Sequence, residues 1–192
     1  MAESRVSEIQ DVAENFVRKG GYKAFSFREI AKHVGIKSAS IHYHFPTKED
    51  LAVAIAKRYT DRFNEALLGI SESDKQITLV AGIEGFIALF RTALIDDGRM
   101  CLCGALAVEA DDLPVKVRAE ARRFFEQNLA WLTHLFMNSL FSEMSERQAQ
   151  QQSCRILAML EGAMMIAQIL EDHSQFELIA ESIVQDYSRS DS

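Results

Sequence analysis

An all-α fold is predicted by three observations. The 192 residues hold two prolines and nine glycines, too few for the closely spaced turns of an all-β chain. Apolar residues recur at spacings of three and four through the longer segments, the signature of amphipathic helices. Capping pairs also punctuate the chain, at Ser26/Glu29, Thr47/Asp50, Ser145/Gln148 and Ser174/Glu177, where a hydroxyl and a side-chain acceptor three residues on would serve the free N–H groups of a helix start. The length allows one or two small domains. The pattern divides them into a three-helix head, 1–47, and a helical body, 48–192, with a helix over 48–68 as the connecting lever.

The first helix is expected over 4–19. Ile9, Val12, Ala13, Phe16 and Val17 make its apolar stripe, Arg18 and Lys19 suit the negative end of its dipole, and Gly20-Gly21 ends it. Tyr22 and Phe25 are expected to pack beneath the next two helices. The second helix starts at Ser26 and buries Phe27, Ile30, Ala31 and Val34. Gly35 closes it, because only glycine enters the left-handed backbone region without penalty. A third, short helix over 38–45 ends before Pro46, since the residue ahead of proline is pushed out of helical geometry. Ile41 and Phe45 suffice to anchor it, which leaves Lys37, Ser38, Ala39, Ser40, His42, Tyr43 and His44 pointing outward. Helix, glycine turn and helix make a helix-turn-helix. The outward residues are small at the helix start, where a backbone would approach base edges, and are donors and aromatics further along, where phosphates and thymine methyls would lie.

Charge fits a nucleic-acid reader once it is divided. The net charge is −7. Residues 1–47 carry seven Lys and Arg against five acids, +2, and the remainder carries fourteen against twenty-three, −9. Over 18–48 seven bases face Glu29 alone. The positive charge is therefore local to the head, and the acidic body would favour one docking orientation.

The lever over 48–68 has an inner stripe of Leu51, Ile55, Tyr59, Phe63 and Leu67 and, at about 1.5 Å per residue, a length of roughly 30 Å. The first clear break is expected over 69–74. Five further helices come after it: one over 75–95, then, past a turn at Asp96-Asp97-Gly98, a short one over 100–109, one after Pro114 reaching 141 and including Leu140, one from Ser145 to about 170, and a last one over 174–187. Beyond Ile156 the penultimate helix is apolar nearly all round and must be covered on several sides. Its Ala158, Gly162, Ala163 and Ala167 would admit another helix closely. It reads either as a central helix of a monomeric bundle or as part of an interface between two copies.

The segment Gly-Ile-Lys-Ser-Ala-Ser-Ile-His-Tyr-His-Phe-Pro-Thr-Lys-Glu-Asp-Leu, 35–51, resembles the DNA-binding signature of the TetR/AcrR family of bacterial transcriptional regulators. The resemblance is specific over about 7–55; beyond that it extends only to length and helical character. It implies a homodimeric regulator, expected to be a repressor, that binds a palindromic operator in double-stranded DNA and is released by a small-molecule effector of unknown identity. Carried over by position, Ser26, Tyr43, His44 and Lys48 stand where phosphates are contacted. Arg28, Lys37, Ser38, Ala39, Ser40 and Tyr43 stand where bases are read. His42 departs from the tyrosine usual at its place, though it could still donate to a phosphate. Dimers of the family are built from the last two long helices, so Ile156, Leu160, Ala163, Ala167, Leu170, Ile179 and Ile183 are expected at a two-fold interface. An effector pocket in the body is expected among Phe86, Phe90, Cys101, Cys103, Phe124, Trp131, His134, Met164 and Met165, although the same side chains equally suit a plain core.

Cys101 and Cys103 admit two readings. They are small buried apolar residues, or, at a helix start beside Arg99, one is a thiolate that senses electrophiles or oxidants. The second makes the alternative class a thiol-based responsive protein or enzyme. The chain is otherwise not expected to be an enzyme: it has no glycine-rich phosphate loop, no His-Glu-x-x-His and no nucleophile elbow. Three cysteines give neither a disulfide scaffold nor zinc spacing, so no cofactor and no metal are expected. Glu109, Asp111 and Asp112 cluster before Pro114, where solvated acids are ordinary. The longest apolar stretch, 156–170, is interrupted by Glu161 and Gln168 and is shorter than the ~20 residues of a bilayer span. With no basic and apolar leader pattern at the start, no membrane partner and a reducing cytoplasm are expected.

Overall fold

In a computed structural model the protein is described over residues 2–72, 77–138 and 144–188. Nine α-helices are formed there: α1 Ala2–Gly20, α2 Phe27–Val34, α3 Ser38–His44, α4 Lys48–Glu72, α5 Leu79–Arg91, α6 Leu102–Ala107, α7 Val115–Asn138, α8 Glu146–Leu170 and α9 Ser174–Ser188. A 3-10 turn, Tyr22–Ala24, follows α1, and a π-helical turn, Thr92–Asp96, follows α5. Among the described residues there is no β-strand.

The contacts group the chain into two compact units that do not divide it at 47/48. The first is Met1–Asp61 with Leu102–Phe124, and the second is Arg62–Cys101 with Phe125–Ser192. Packing explains the difference. The first turns of α4 are tied to α1, where Arg58 Nη2 reaches Asp11 at 2.8 Å and Glu14 at 3.0 Å. Leu51, Ala52, Ile55 and Ala56 are fully buried. Arg123 of α7 joins Asp61 at 2.8 Å, and α6 lies on α1. The long helices α4 and α7 thus each contribute to both units.

In the first unit α1 packs on α2 and α2 on α3. Ile9, Ala13, Val17, Ile30, Ile41 and Leu51 are sealed from solvent. Each large apolar side chain so buried stabilises by about 1.5–3 kcal/mol, which lets a seven-residue helix such as α3 persist when alone it would melt. In the second unit α8 and α9 pair most extensively, with α5 across both. Phe86, Phe90, Leu132, Phe136, Ile156, Leu160, Met164 and Phe176 make its core.

Several boundaries differ from the sequence expectation. Helix α4 does not break at Gly69 but runs to Glu72. Ile70 packs so closely on Gly85 that a Cβ there would lie 3.0 Å from its Cδ1, a tertiary contact that outweighs a glycine's helix penalty. Helix α5 begins at Leu79, after Thr78 accepts from the Ala81 N–H, and turns π-helical at Thr92 instead of running straight to 95. The expected helix last turns at Leu140 and Phe141, and the expected positions Asp74 and Lys75, lie outside the described residues. Ser145 and Gln148 form the expected reciprocal capping box. Ser174 does not cap α9: it is the first helical residue, and its N–H donates to Asp172 Oδ1 at 3.0 Å. Helix α8, 25 residues long, reaches the length and apolar composition of a membrane span, longer than the apolar stretch alone suggested. Eight of its residues, from Ala149 to Ala167, are nevertheless buried within the chain.

Candidate nucleic-acid interface

The head is built by its caps. Ser26, in extended conformation, accepts from the Glu29 N–H at 3.3 Å and starts α2. Gly35 ends α2 at φ 72° and ψ 32°, and the next residue, Ile36, donates back to the Ala31 carbonyl at 3.0 Å. This left-handed closure turns the chain within three residues, so that α3 begins at Ser38. Thr47 and Asp50 then cap α4 reciprocally, Thr47 N–H to Asp50 Oδ2 at 3.0 Å and Asp50 N–H to Thr47 Oγ1 at 3.1 Å.

The third helix, α3, buries Ile41 alone. Ala39, Ser40, His42 and Tyr43 are exposed, Ser38 and His44 half-buried, and Tyr43 stands 85% open to solvent. Arg28 on α2 and Lys37 ahead of α3 are exposed and without a side-chain partner among the described residues. The phenol and small hydroxyls of α3 are therefore flanked by two cations, Arg28 on α2 and Lys37 at the α3 N-cap, that make no side-chain hydrogen bond or ion pair with the rest of the described chain.

Three expected contacts are engaged locally. The His42 ring sits edge-on to Phe27, centroids 4.6 Å apart, with Nδ1 3.2 Å from the Pro46 carbonyl, so Nδ1–H donates there and this histidine braces the exit of α3. The Ser26 hydroxyl is occupied as a cap. Lys48 folds its ammonium over the Tyr22 and Phe25 rings, 4.5 Å from each centroid. Burial pushes its pKa down, opposed by the negative charges of Glu109 and Glu29.

The body residues divide less simply. Phe86, Phe90 and Trp131 form one aromatic cluster with Phe63. Trp131 stacks on Phe86 at 5.7 Å, and its Nε1 donates to Ser71 Oγ at 3.0 Å. Phe124 instead packs on Tyr59 in the first unit. Met165 is half exposed on the outside of α8, while Met164 is fully buried. His134 is exposed and lines a groove between α7 and α8 with Leu129, Met137 and Cys154.

The residues expected at an interface divide between the inside of the chain and its surface. Ile156, Leu160, Ala163, Ala167 and Ile183 are buried inside the chain, because the positions i, i+4, i+7 and i+11 of α8 face its own neighbours. Ile179 is half-buried, and Leu170 alone of that set is open. The apolar side chains that do face solvent are Met165, Ile166, Ile169 and Leu170 of α8 with Leu178 of α9, Ile169 at 81%. A helix covered on one side by its own chain and apolar on the other explains the all-round apolar sequence.

Glu161 was legible in the sequence only as an interruption. Its Oε1 is enclosed with no hydrogen-bond partner, and burial pushes the pKa up to about 7, partly offset by the Cys101 thiol donating to it. That contact bears on the thiolate reading, since Cys101 is buried and its thiol is engaged with a carboxyl instead of facing solvent. Cys103 is buried as well, and the exposed thiol is Cys154. Glu109 and Asp112 are likewise more than solvated loop acids. Asp112 Oδ2 holds Lys23 Nζ at 2.5 Å, and Glu109 Oε2 is buried.

Comparison with known proteins defines the class. Residues 9–55 match the family model for bacterial regulatory proteins of the tetR family, and residues 78–182 match the LmrA/YxaF-like transcriptional regulator C-terminal domain. The chain belongs to the TetR family of transcriptional regulators, with the helix-turn-helix α2–α3 as its DNA-binding element. It is 29% identical over 181 residues to an uncharacterised regulator, YxaF, of Bacillus subtilis strain 168, which covers 92% of this chain and 91% of that protein. The crystal structure of a TetR regulator from Legionella pneumophila superposes with a TM-score of 0.87 at 33% identity, covering 93% of this chain and 95% of that one. A TetR-family regulator from Agrobacterium tumefaciens gives 0.82 at 29% identity, covering 96% and 97%.

Proposed function

We propose that this regulator is a repressor that binds an inverted-repeat operator as a homodimer and is released by a small molecule held in its body. The observation that carries the DNA-reading part is α3, which gives Ile41 to the core and leaves Ala39, Ser40 and Tyr43 facing solvent. Arg28 is the residue suited to bidentate guanine recognition, with Lys37, Ser38, Ala39 and Ser40 at the base edges and Tyr43, His44 and Lys48 at phosphates. The exposed apolar side chains of α8 and α9 are the surface suited to a second copy, since a contiguous apolar face is costly to leave in water. A two-fold dimer would set recognition helices roughly 34 Å apart, one turn of duplex.

For release, the aromatic cluster of Phe86, Phe90 and Trp131 and the enclosed Glu161–Cys101 pair supply apolar surface and one polar anchor. A ligand that prefers a state with misplaced heads weakens operator binding by its ratio of affinities for the two states. Continuous α4, which contributes to both units, is the element suited to carry that change. The buried, carboxyl-bonded Cys101 weighs against a thiol sensor. The test is selection from random duplex DNA by the purified protein at moderate salt. An enriched palindrome is expected; no enrichment from a protein that is dimeric in solution would refute operator reading by the ligand-free form.

A further inference from the structure

The acids that follow α6 lie against the lysines of the head. Lys23, on the turn after α1, pairs with Asp112 at 2.5 Å. Glu109 lies against the backbone of Gly21: a Cβ added there would fall 1.8 Å from its Oε1, so only glycine admits the carboxylate. Gly21 also has φ 77°, a second reason for glycine at that point. The other oxygen, Oε2, is buried without a hydrogen-bond partner. Lys48 stands close enough to feel this charge, with its ammonium on the faces of Tyr22 and Phe25 and Glu29 as the other acid acting on it. All of these residues belong to the first unit, so their juxtaposition does not depend on the second.

We infer that the loop after α6 is a built-in competitor of DNA: Asp112 holds Lys23 as a phosphate would, the Glu109 carboxylate acts on Lys48 by its charge without pairing with it, and together they keep the head at less than its full affinity for a duplex. The physical basis is counterion release. The ions released are the cations condensed on the duplex, and a lysine held by a carboxylate of its own chain neutralises no phosphate and so releases none. The same loop joins α6, which lies on α1, to α7. Any rearrangement that draws the loop off the head frees two cations near the start of α4, and any that presses it down withholds them. The inference rests on the DNA-reading role proposed for the head, but not on a particular operator.

The test titrates the full chain, as wild type and as the double variant Glu109→Gln/Asp112→Asn, against a random-sequence duplex of about 20 base pairs over a range of salt. Asp111→Asn is the control, since it removes an equal charge from the same loop with no lysine paired to it among the described residues. Each lysine returned to the phosphates should steepen the dependence of log K on log salt by about 0.9, a gain of about eightfold at 0.1 M relative to 1 M salt. The double variant is therefore expected to bind more tightly with a steeper slope, and Asp111→Asn to keep the wild-type slope. Equal slopes for all three, weaker binding by a double variant of unchanged helicity and melting, or an equal gain for Asp111→Asn would each overturn the competitor role. A wild type that binds no duplex even at low salt would overturn it together with the DNA-reading proposal, whereas binding without a change of slope would overturn it alone.

Discussion

The outward face of α3 and the outward face of α8 are both surfaces that the chain's own packing leaves unused, and they are chemically opposite. The first carries a phenol, hydroxyls and imidazoles, flanked by Arg28 and Lys37, on a helix that gives one side chain to the core. The second carries Met165, Ile166, Ile169 and Leu170 on a helix that gives eight residues to the core from its other side. A polar face with uncommitted donors is made for a polar, anionic partner. An apolar face is made for one that removes it from water. The two faces also differ in what folding demands of them: α3 would keep its shape with its outward residues exchanged, whereas α8 is held in place from within.

The comparison can be broken most forcefully on α8. Replacing Ile169 and Leu170 together with Glu should leave a monomer that folds, because neither side chain is in the core. Two buried unpaired charges at an interface cost about 4 kcal/mol or more, roughly a thousandfold in association. Sedimentation equilibrium would read this, and an unchanged dimer would remove α8 from the interface.

The inner side of the same helix is probed by pH. Glu161 has an ordinary value of 4.5 when unfolded and about 7 when buried. Between these the unfolded chain has lost a proton that the folded chain keeps. Its contribution is fully present below about 4.5 and falls as pH rises through 7, by at most about 3 kcal/mol. Urea unfolding across that window should show a shallower fall with pH for Glu161→Gln than for the wild type. Parallel curves would mean that the carboxyl is ionised in the folded chain.

On the polar face, Arg28→Ala should cost about 1–3 kcal/mol on the selected operator and much less on random duplex, as read by fluorescence anisotropy. Equal losses on both would make Arg28 a phosphate contact. The smallest effect sharpens the description of how α3 is aimed. Gly35→Ala meets no neighbouring atom, yet at φ 72° it should destabilise by about 1–2 kcal/mol in thermal unfolding through backbone strain alone.

How far the fold is legible in the sequence depends on the range of the forces involved. The caps of α2, α4 and α8 and the glycine closure at Gly35 are local, satisfied within a few residues, and they stand where the residue types put them. The helix class and the polar face of α3 come from the same short-range patterns, and the resemblance over 35–51 supplied the family. The positions that misled are those settled by distant partners. Gly69 stays helical because Ile70 finds Gly85. Ile156 and Leu160 turn inward because α5 and α9 are there to meet them. Lys48 folds onto Tyr22 and Phe25 instead of extending into solvent. Glu109 looked like a loop acid because nothing near it in sequence reveals that Gly21 lies against it. An apolar helix pattern states how much surface needs covering, but not which side its own chain covers.

The central claim, that a polar face reads DNA in register with its copy because an apolar face holds the two together, is tested most directly by moving the half-sites. Five base pairs inserted at the centre of the selected palindrome turn one half-site to the opposite side of the duplex without changing a contacted base. The account predicts that wild-type affinity then falls to that of a single half-site and that a complex with two chains is lost. Full affinity on the rotated operator, or a single chain bound per palindrome, would contradict it.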